Sequence, residues 1–205
     1  MIASKAIPVV QLNKIFRQAA KSKIVVNAHN VNEGKGFILN QKSEEQVNDF
    51  FYINETSKDK ILYQVISLCN ERLANYGDYD FFKDMQVLTP TKKGALGIKE
   101  LNKSLQEALN PMSDLKEEKQ YGEQIYRVGD RVMQIKNNYD IYWTKGEESG
   151  TGIFNGEIGR IAHIDHEAKQ IKIIYDDEKN AWYQFSELEQ IEHAYAITIH
   201  KAQRK

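Results

Sequence analysis

One cysteine, three prolines and a net charge of −1 set the first limits on this chain of 205 residues. Cys69 has no second cysteine to pair with, so an internal disulfide is excluded. Its neighbours Ile66, Leu68 and Leu73 mark it as a buried apolar thiol. Without further cysteines, and with His29, His163, His166, His193 and His200 at no ligand spacing, no zinc or other metal site is expected. The near-zero charge offers no global attraction to nucleic acid. Contacts with phosphate must come from local clusters of Lys, Arg and polar groups. No apolar run approaches the length of a membrane span, and the N-terminus lacks the basic and apolar regions of a signal peptide, so the chain reads as cytoplasmic. No GxxxxGK[ST] stretch occurs, which excludes a Walker loop of the chain's own.

What is present is enough for a packed core: 41% hydrophobic and 28% charged residues, in a length that suits one large domain or one domain carrying a smaller insertion. Ser22 is a good N-cap for a helix that places Ile24, Val25, Ala28 and Val31 on one side and ends at Gly34. Residues 49–54 (DFFYIN) read as a strand. Residues 57–77 read as a strong helix, with Ile61, Leu62, Val65, Ile66, Cys69 and Leu73 at helical spacing and Gly77 closing it. A short apolar strand over 85–91 leads through KKGALG into a helix stopped by Pro111. This alternation is that of an α/β fold with a parallel sheet.

The pattern changes near residue 120. Four short alternating or apolar runs between Gln124 and Ile191, separated by Gly, Asn and Asp turns, predict a small antiparallel barrel. Residues 140–152 read as a mobile, glycine-rich loop, DHE at 165–167 as a turn, and residues 194–199 as a return to a buried strand. The expected division is therefore 1–119 for the first part of an α/β domain, 120–192 for an inserted barrel, and 193–205 for the return.

Four stretches carry candidate chemistry. The last strand delivers Thr198, with His200, Lys201 and Gln203 just beyond it, at the C-terminal edge of a sheet where open α/β folds bind ligands. A plain polar strand-to-helix junction fits the same residues. The run VLTPTKKGALG has a similar layout, with Thr89 and Thr91 ending a strand and Lys92 and Lys93 following, either as an anion site or as an exposed basic turn. In IFRQ, Arg17 stands beside Phe16 and ahead of Gln18, either held rigid to reach a phosphate or engaged in a surface ion pair. In the barrel, Gly129–Asp130 and Asn155–Gly156 read as turns. Arg131, Gln134, Lys136, Asn137, Asn138, Tyr139 and Tyr142 fit either core and turn roles or a surface for single-stranded nucleic acid.

Taken in order, LNKIFRQAAKSKIVVNAHNVNEG, QVLTPTKKGALGIKELNKSLQEALNP, YRVGDRVMQIKNNYD with FNGEIGRI, and AYAITIHKAQ resemble the RecD-like DNA helicases of superfamily 1, the family of the exodeoxyribonuclease V alpha subunit. The resemblance runs from about Ile7 to Gln203 and is most specific at FRQ, LNxxLQ and AYAITIHKAQ. It implies a RecA-like, P-loop-type second motor domain with an inserted SH3-like antiparallel β-barrel. It implies that Arg17, with Gln18 beside it, reaches ATP held with Mg2+ by an N-terminal motor domain, where an arginine stabilises phosphoryl charge. It implies single-stranded DNA as the partner of Thr89, Lys92, Asn102, Gln134, Asn137, Thr198, His200 and Lys201, and 5′ to 3′ movement. In an exodeoxyribonuclease V-type assembly, serving DNA repair and recombination, nuclease and helicase subunits would join these partners. The family continues its last motif as HKxQGxEF, whereas Arg204 and Lys205 follow Gln203 here, so the chain is expected to be half of a motor and inactive toward ATP alone. The competing expectation is a non-enzymatic nucleic-acid-binding or subunit-docking module that uses the barrel.

Overall fold

A computed structural model describes residues 22–39 and 49–202. The chain divides into two compact units, Met1–Glu55 and Thr56–Lys205.

In the first unit, α1 spans Lys23–Asn32, and the Ser22 hydroxyl accepts from the Val25 amide as its N-cap. Asp49 reinforces that end: Oδ2 accepts from the Ser22 hydroxyl at 2.5 Å and Oδ1 from the Lys23 amide at 2.8 Å. Gly34, at φ +72°, turns the chain out of the helix as expected. The buried face differs from the expected one. Ile24 and Val31 are exposed, while Asn27 is buried, its amide donating to the Ile38 carbonyl and accepting from the Ile38 amide. A saturated amide pair, not an apolar stripe, fixes the helix orientation. Residues 49–54 do not form the expected strand. Phe50 and Tyr52 instead pack their rings near Phe37, at 6.4 and 6.2 Å.

The second unit opens with α2 (Lys58–Ser67), a π turn (Leu68–Arg72) and α3 (Leu73–Gly77). The wider π turn puts one more residue in the turn than a straight helix would, and Cys69 within it is buried. The left-handed closing residue is Asp78, at φ +53°, not Gly77. Next comes α4 (Phe81–Asp84), capped by Asp80, whose Oδ1 accepts from the Phe82 and Lys83 amides. Strand β1 (Val87–Thr89) pairs in parallel with β11 (Ala196–Thr198), and α5 (Ile98–Leu109) packs Leu101 and Leu105 against Tyr195 and Ala196. The short α6 (Ile199–Ala202) follows β11 directly.

Between these lie β2 (Glu118–Tyr121) and β3 (Gln124–Arg127), a two-stranded hairpin, and then a seven-stranded antiparallel sheet. The sheet comprises β4 (Arg131–Gln134), β5 (Asn138–Lys145), β6 (Glu148–Ile153), β7 (Ile158–Asp165), β8 (Gln170–Tyr175), β9 (Asn180–Gln184) and β10 (Ile191–His193), in the order β10-β4-β7-β8-β9-β5-β6. Ile153, Ile161, Ile171, Ile173, Tyr183 and Leu188 form its core. The expected barrel does not close: β10 and β6 end the sheet without pairing to each other. Past β4 the backbone bonds elsewhere, Gly156 N to the Gln134 carbonyl and Ile135 N to the Gln190 carbonyl, so β4 and β5 never form a ladder. The expected loop at 140–152 is part of the β5–β6 hairpin. Gly146, at φ +57°, makes its turn, and Gly150 leaves room for the Trp143 ring, which an added Cβ would approach to 2.6 Å.

Candidate nucleic-acid interface

Parallel register sets Thr89 of β1 opposite Thr198 of β11, so the two chains leave the sheet side by side at its C-terminal end. Both threonines are buried, at 3% and 8% exposure. The Thr89 hydroxyl donates to the Leu96 carbonyl at 2.9 Å and accepts from the Thr91 amide, folding the connection to α5 back on the strand. The Thr198 hydroxyl accepts from the Lys201 amide at 3.4 Å. Cations follow both strand ends. Lys92 and Lys93 are exposed and make no ion pair among the described residues, His200 is exposed, and Lys201 is half-buried and ion-paired with Glu192. The structure thus brings Thr89, Lys92, Thr198, His200 and Lys201 to one edge.

Asn102 comes to that edge from beneath. Its Nδ2 donates to the Ala196 carbonyl at 3.0 Å and its Oδ1 accepts from the Ala196 amide at 2.9 Å, so one side chain satisfies both backbone groups of a β11 residue. Gln86 does related work: its Nε2 reaches the Ala194 and Tyr195 carbonyls.

Gln134 and Asn137 lie apart from that edge, on β4 and just after it. Gln134 is fully buried, accepting from the Tyr183 hydroxyl at 3.0 Å and donating to Gln190. Asn137 is exposed, and its Oδ1 accepts from the Asn155 amide at 2.9 Å. Arg17 and Gln18 lie outside the described residues, as does Gln203.

A buried network links residues from separate sequence motifs. Asp130, fully buried at the turn before β4, accepts from Gln106 Nε2 and Asn110 Nδ2 at 2.7 Å, from the Arg127 amide at 2.7 Å and from the Tyr195 hydroxyl at 2.8 Å. His193 Nε2 lies 3.1 Å from the same carboxylate. Burial pushes this carboxyl group upward, but the hydrogen bonds from His193, Asn110 and Tyr195 outweigh it and hold the group below the usual carboxylate range. The network joins α5, the β3–β4 turn and the segment leading into β11, so the seven-stranded sheet and the Thr198 edge share one polar anchor. One signal was available: Asn102, Gln106 and Asn110 recur every four residues on α5, a polar stripe on a helix face that must be buried. Arg131, a candidate nucleic-acid contact by sequence, is likewise buried and donates to the Phe81 and Met85 carbonyls.

Among the described residues no cluster of His, Cys, Asp or Glu could hold a metal ion, and no helix is long and apolar enough to cross a membrane.

Three kinds of comparison bear on the chain. The sequence profile of the ATP-dependent RecD-like DNA helicase SH3 domain matches residues 101–175. The ATP-dependent RecD2 DNA helicase of Deinococcus radiodurans is 30% identical over 200 residues, which are 98% of this chain and 24% of that protein. An uncharacterized protein of Methanocaldococcus jannaschii is 30% identical over 144 residues, covering 63% of this chain and 12% of its own. The chain therefore spans a quarter or less of these curated relatives. Among solved structures, Bacteroides Pif1 helicase in complex with ADP-AlF3 and single-stranded DNA aligns with a TM-score of 0.36 at 14% identity, over 72% of this chain and 37% of that one. Pif1 helicase in a study of unwinding at forked double-stranded DNA gives 0.36 at 16% identity, over 75% and 40%.

Proposed function

Because this chain belongs to the RecD-like DNA helicases of superfamily 1, we propose that it serves as the second, RecA-like motor domain of an ATP-dependent DNA helicase. Residues 1–119 and 193–205 form the motor domain and residues 120–192 its SH3-like insertion. The observation that carries the proposal is the register of Thr89 opposite Thr198, with exposed lysines and an exposed histidine just past the two strand ends.

Lys92, His200 and Lys201 supply donors to the phosphodiester backbone of a single strand lying across this edge. Lys201 exchanges its Glu192 partner for phosphate. Thr89 and Thr198 shape the two turns that present these groups, and Asn102 holds β11 at the height where they meet the strand. Gln134 and Asn137 extend the interface along the SH3-like sheet, Gln134 by fixing the strand from within and Asn137 by bracing the turn at Asn155. Contacts of this kind grip any base sequence, as a translocating motor requires. Arg17, with Gln18 beside it, faces ATP and Mg2+ held by a preceding motor domain and neutralises charge on the transferring phosphoryl group. The parent moves 5′ to 3′, acting alone or with exodeoxyribonuclease V-type subunits in the cytoplasm.

The test uses the whole helicase and this chain in parallel. Arg17→Ala in the whole protein should remove most DNA-stimulated ATP turnover and leave single-strand affinity nearly unchanged. Normal turnover would refute the arginine's role. In the chain, Thr198→Ala with Lys201→Ala should weaken binding to oligothymidylate and to mixed-sequence strands equally, and undiminished binding would remove the strand-end contact.

A further inference from the structure

The lysines at the strand-end edge are not equivalent. Lys92 and Lys93 make no ion pair among the described residues, whereas Lys201 Nζ is held by Glu192 Oε1. The two partners come from different parts of the fold. Lys201 stands on α6, at the motor-domain edge, and Glu192 on β10, an outer strand of the seven-stranded sheet.

Rigid elements hold both ends of this pair. Glu192 faces Met133 in the β10–β4 ladder, and the next residue, His193, lies 3.1 Å from the buried Asp130 carboxylate. The Lys201 amide donates to the Thr198 hydroxyl, so the lysine leaves from the same turn that closes β11. The two side chains are only 25% and 27% exposed. A pair fixed at both ends gives up little side-chain freedom when it forms, and partial burial shields it from salt.

The Glu192 carboxylate and a backbone phosphate ask for the same ammonium. Lys201 has three donors, but serving both anions at once would set carboxylate against phosphodiester, like charge against like charge. One must leave for the other to bind.

Resting on the strand-end reading of Lys201 given above, we propose that Glu192 is a release latch, a carboxylate on the inserted sheet that takes Lys201 back as a phosphate departs. It supplies the leaving cation with a ready partner and so limits how long the edge holds a strand. Glu192 acts through Lys201 and touches no DNA, which makes it a positioning residue. The inserted sheet thereby governs the grip of the motor-domain edge, and a motor that advances along a strand must release each phosphate it holds.

The test is stopped-flow dissociation of fluorescein-labelled oligothymidylate from the 205-residue chain, with unlabelled strand in excess as trap. Wild type is compared with Glu192→Gln, Lys201→Ala and the double variant. Glu192→Gln keeps the side chain's shape and should slow release about threefold to tenfold, the range of a partly buried ion pair. In the Lys201→Ala background the same change should slow it by less than about twofold. A pair with a merely structural role gives the opposite sign, because losing it would loosen α6 and speed release. Unchanged or faster release in Glu192→Gln would overturn the latch. So would equal slowing in both backgrounds, which would reduce the effect to the removal of one negative charge. The strand-end reading fails by a different pattern: Lys201→Ala would then leave release unchanged in both Glu192 backgrounds, and the latch would fall with it. If Lys201→Ala speeds release from Glu192→Gln while Glu192→Gln itself matches wild type, the lysine contact stands and the latch alone is refuted.

Discussion

Replacing Asp130 by Asn keeps the shape of the buried anchor and removes its charge. Each carboxylate oxygen serves at least two donors: Asn110 Nδ2 and the Tyr195 hydroxyl at Oδ1, and Gln106 Nε2, the Arg127 amide and His193 at Oδ2. An amide keeps one acceptor oxygen and sets its NH2 against the donors at the other position. The cheapest orientation puts it at Oδ1, where the Tyr195 hydroxyl can rotate to accept but Asn110 Nδ2 is left facing a donor. One hydrogen bond to a charged acceptor is lost and another is weakened, at about 1.5–3 kcal/mol for the first and less for the second, or about 3 kcal/mol in all. Both tryptophans, Trp143 and Trp182, lie in the seven-stranded sheet, so urea unfolding followed by tryptophan fluorescence reads the body that Asp130 anchors. With a denaturant slope of about 2 kcal/mol/M, the midpoint should fall by about 1.5 M. The pH dependence carries a sign. A carboxyl group held low in the folded state contributes stability above its unfolded value near about 4 and loses it as pH falls through the folded value. The difference between wild type and variant should therefore shrink below about pH 4. A midpoint shift under about 0.3 M at neutral pH would refute the anchor.

Two further outcomes follow from packing and burial. Gly159→Ala should lower the melting temperature by several degrees, because a Cβ there would stand 2.6 Å from the Ile174 carbonyl oxygen and 2.9 Å from Tyr175 Cα, overpacking worth about 1–3 kcal/mol; an unchanged circular-dichroism melt would contradict it. Cys69, whose thiol burial pushes up to about 11, should resist iodoacetamide near about pH 8 until the chain is unfolded, and stoichiometric labelling of the native chain by mass spectrometry would show that its cover is absent.

Regular patterns in the sequence carried over well where one face of an element is buried. The helix read ahead of Pro111 and the strands read at 85–91 and 194–199 became α5, β1 and β11, the two strands shorter than expected at 87–89 and 196–198, and the turns at Gly129 and Gly156 adopt positive φ. The signal failed where packing inverts the ordinary meaning of a residue. Glycines at 146, 150 and 152 look like loop punctuation, yet they give a hairpin its turn and let Trp143 and Phe154 lie against strand β6. Residues 49–54 have strand composition but pack by ring contacts near Phe37, and the expected apolar face of α1 yields to the Asn27 amide pair. Sheet closure depends on which backbone groups meet after β4, and no local pattern encodes that pairing.

The candidate site was legible in part. Thr89 and Thr198 were placed on one sheet edge from their strand-end positions, and the parallel register brings them there. The resemblance implies DNA contacts for Asn102 and Gln134, and their side-chain amides bond within the fold, to Ala196 and to Tyr183 and Gln190. Asp130 read as a turn residue because Asn110 and Tyr195 lie 20 and 65 residues away, beyond the reach of any local motif.

The most direct test of the strand-end interface is the salt dependence of single-stranded DNA binding by this chain, wild type against Lys92→Ala/Lys201→Ala. Each phosphate contact on a single strand contributes about 0.7 to the slope of log affinity against log salt concentration. The account predicts a slope shallower by about 1.4 in the variant, the same for oligothymidylate and for mixed sequence. Equal slopes in the two proteins would place the DNA elsewhere and remove the sheet edge as its site.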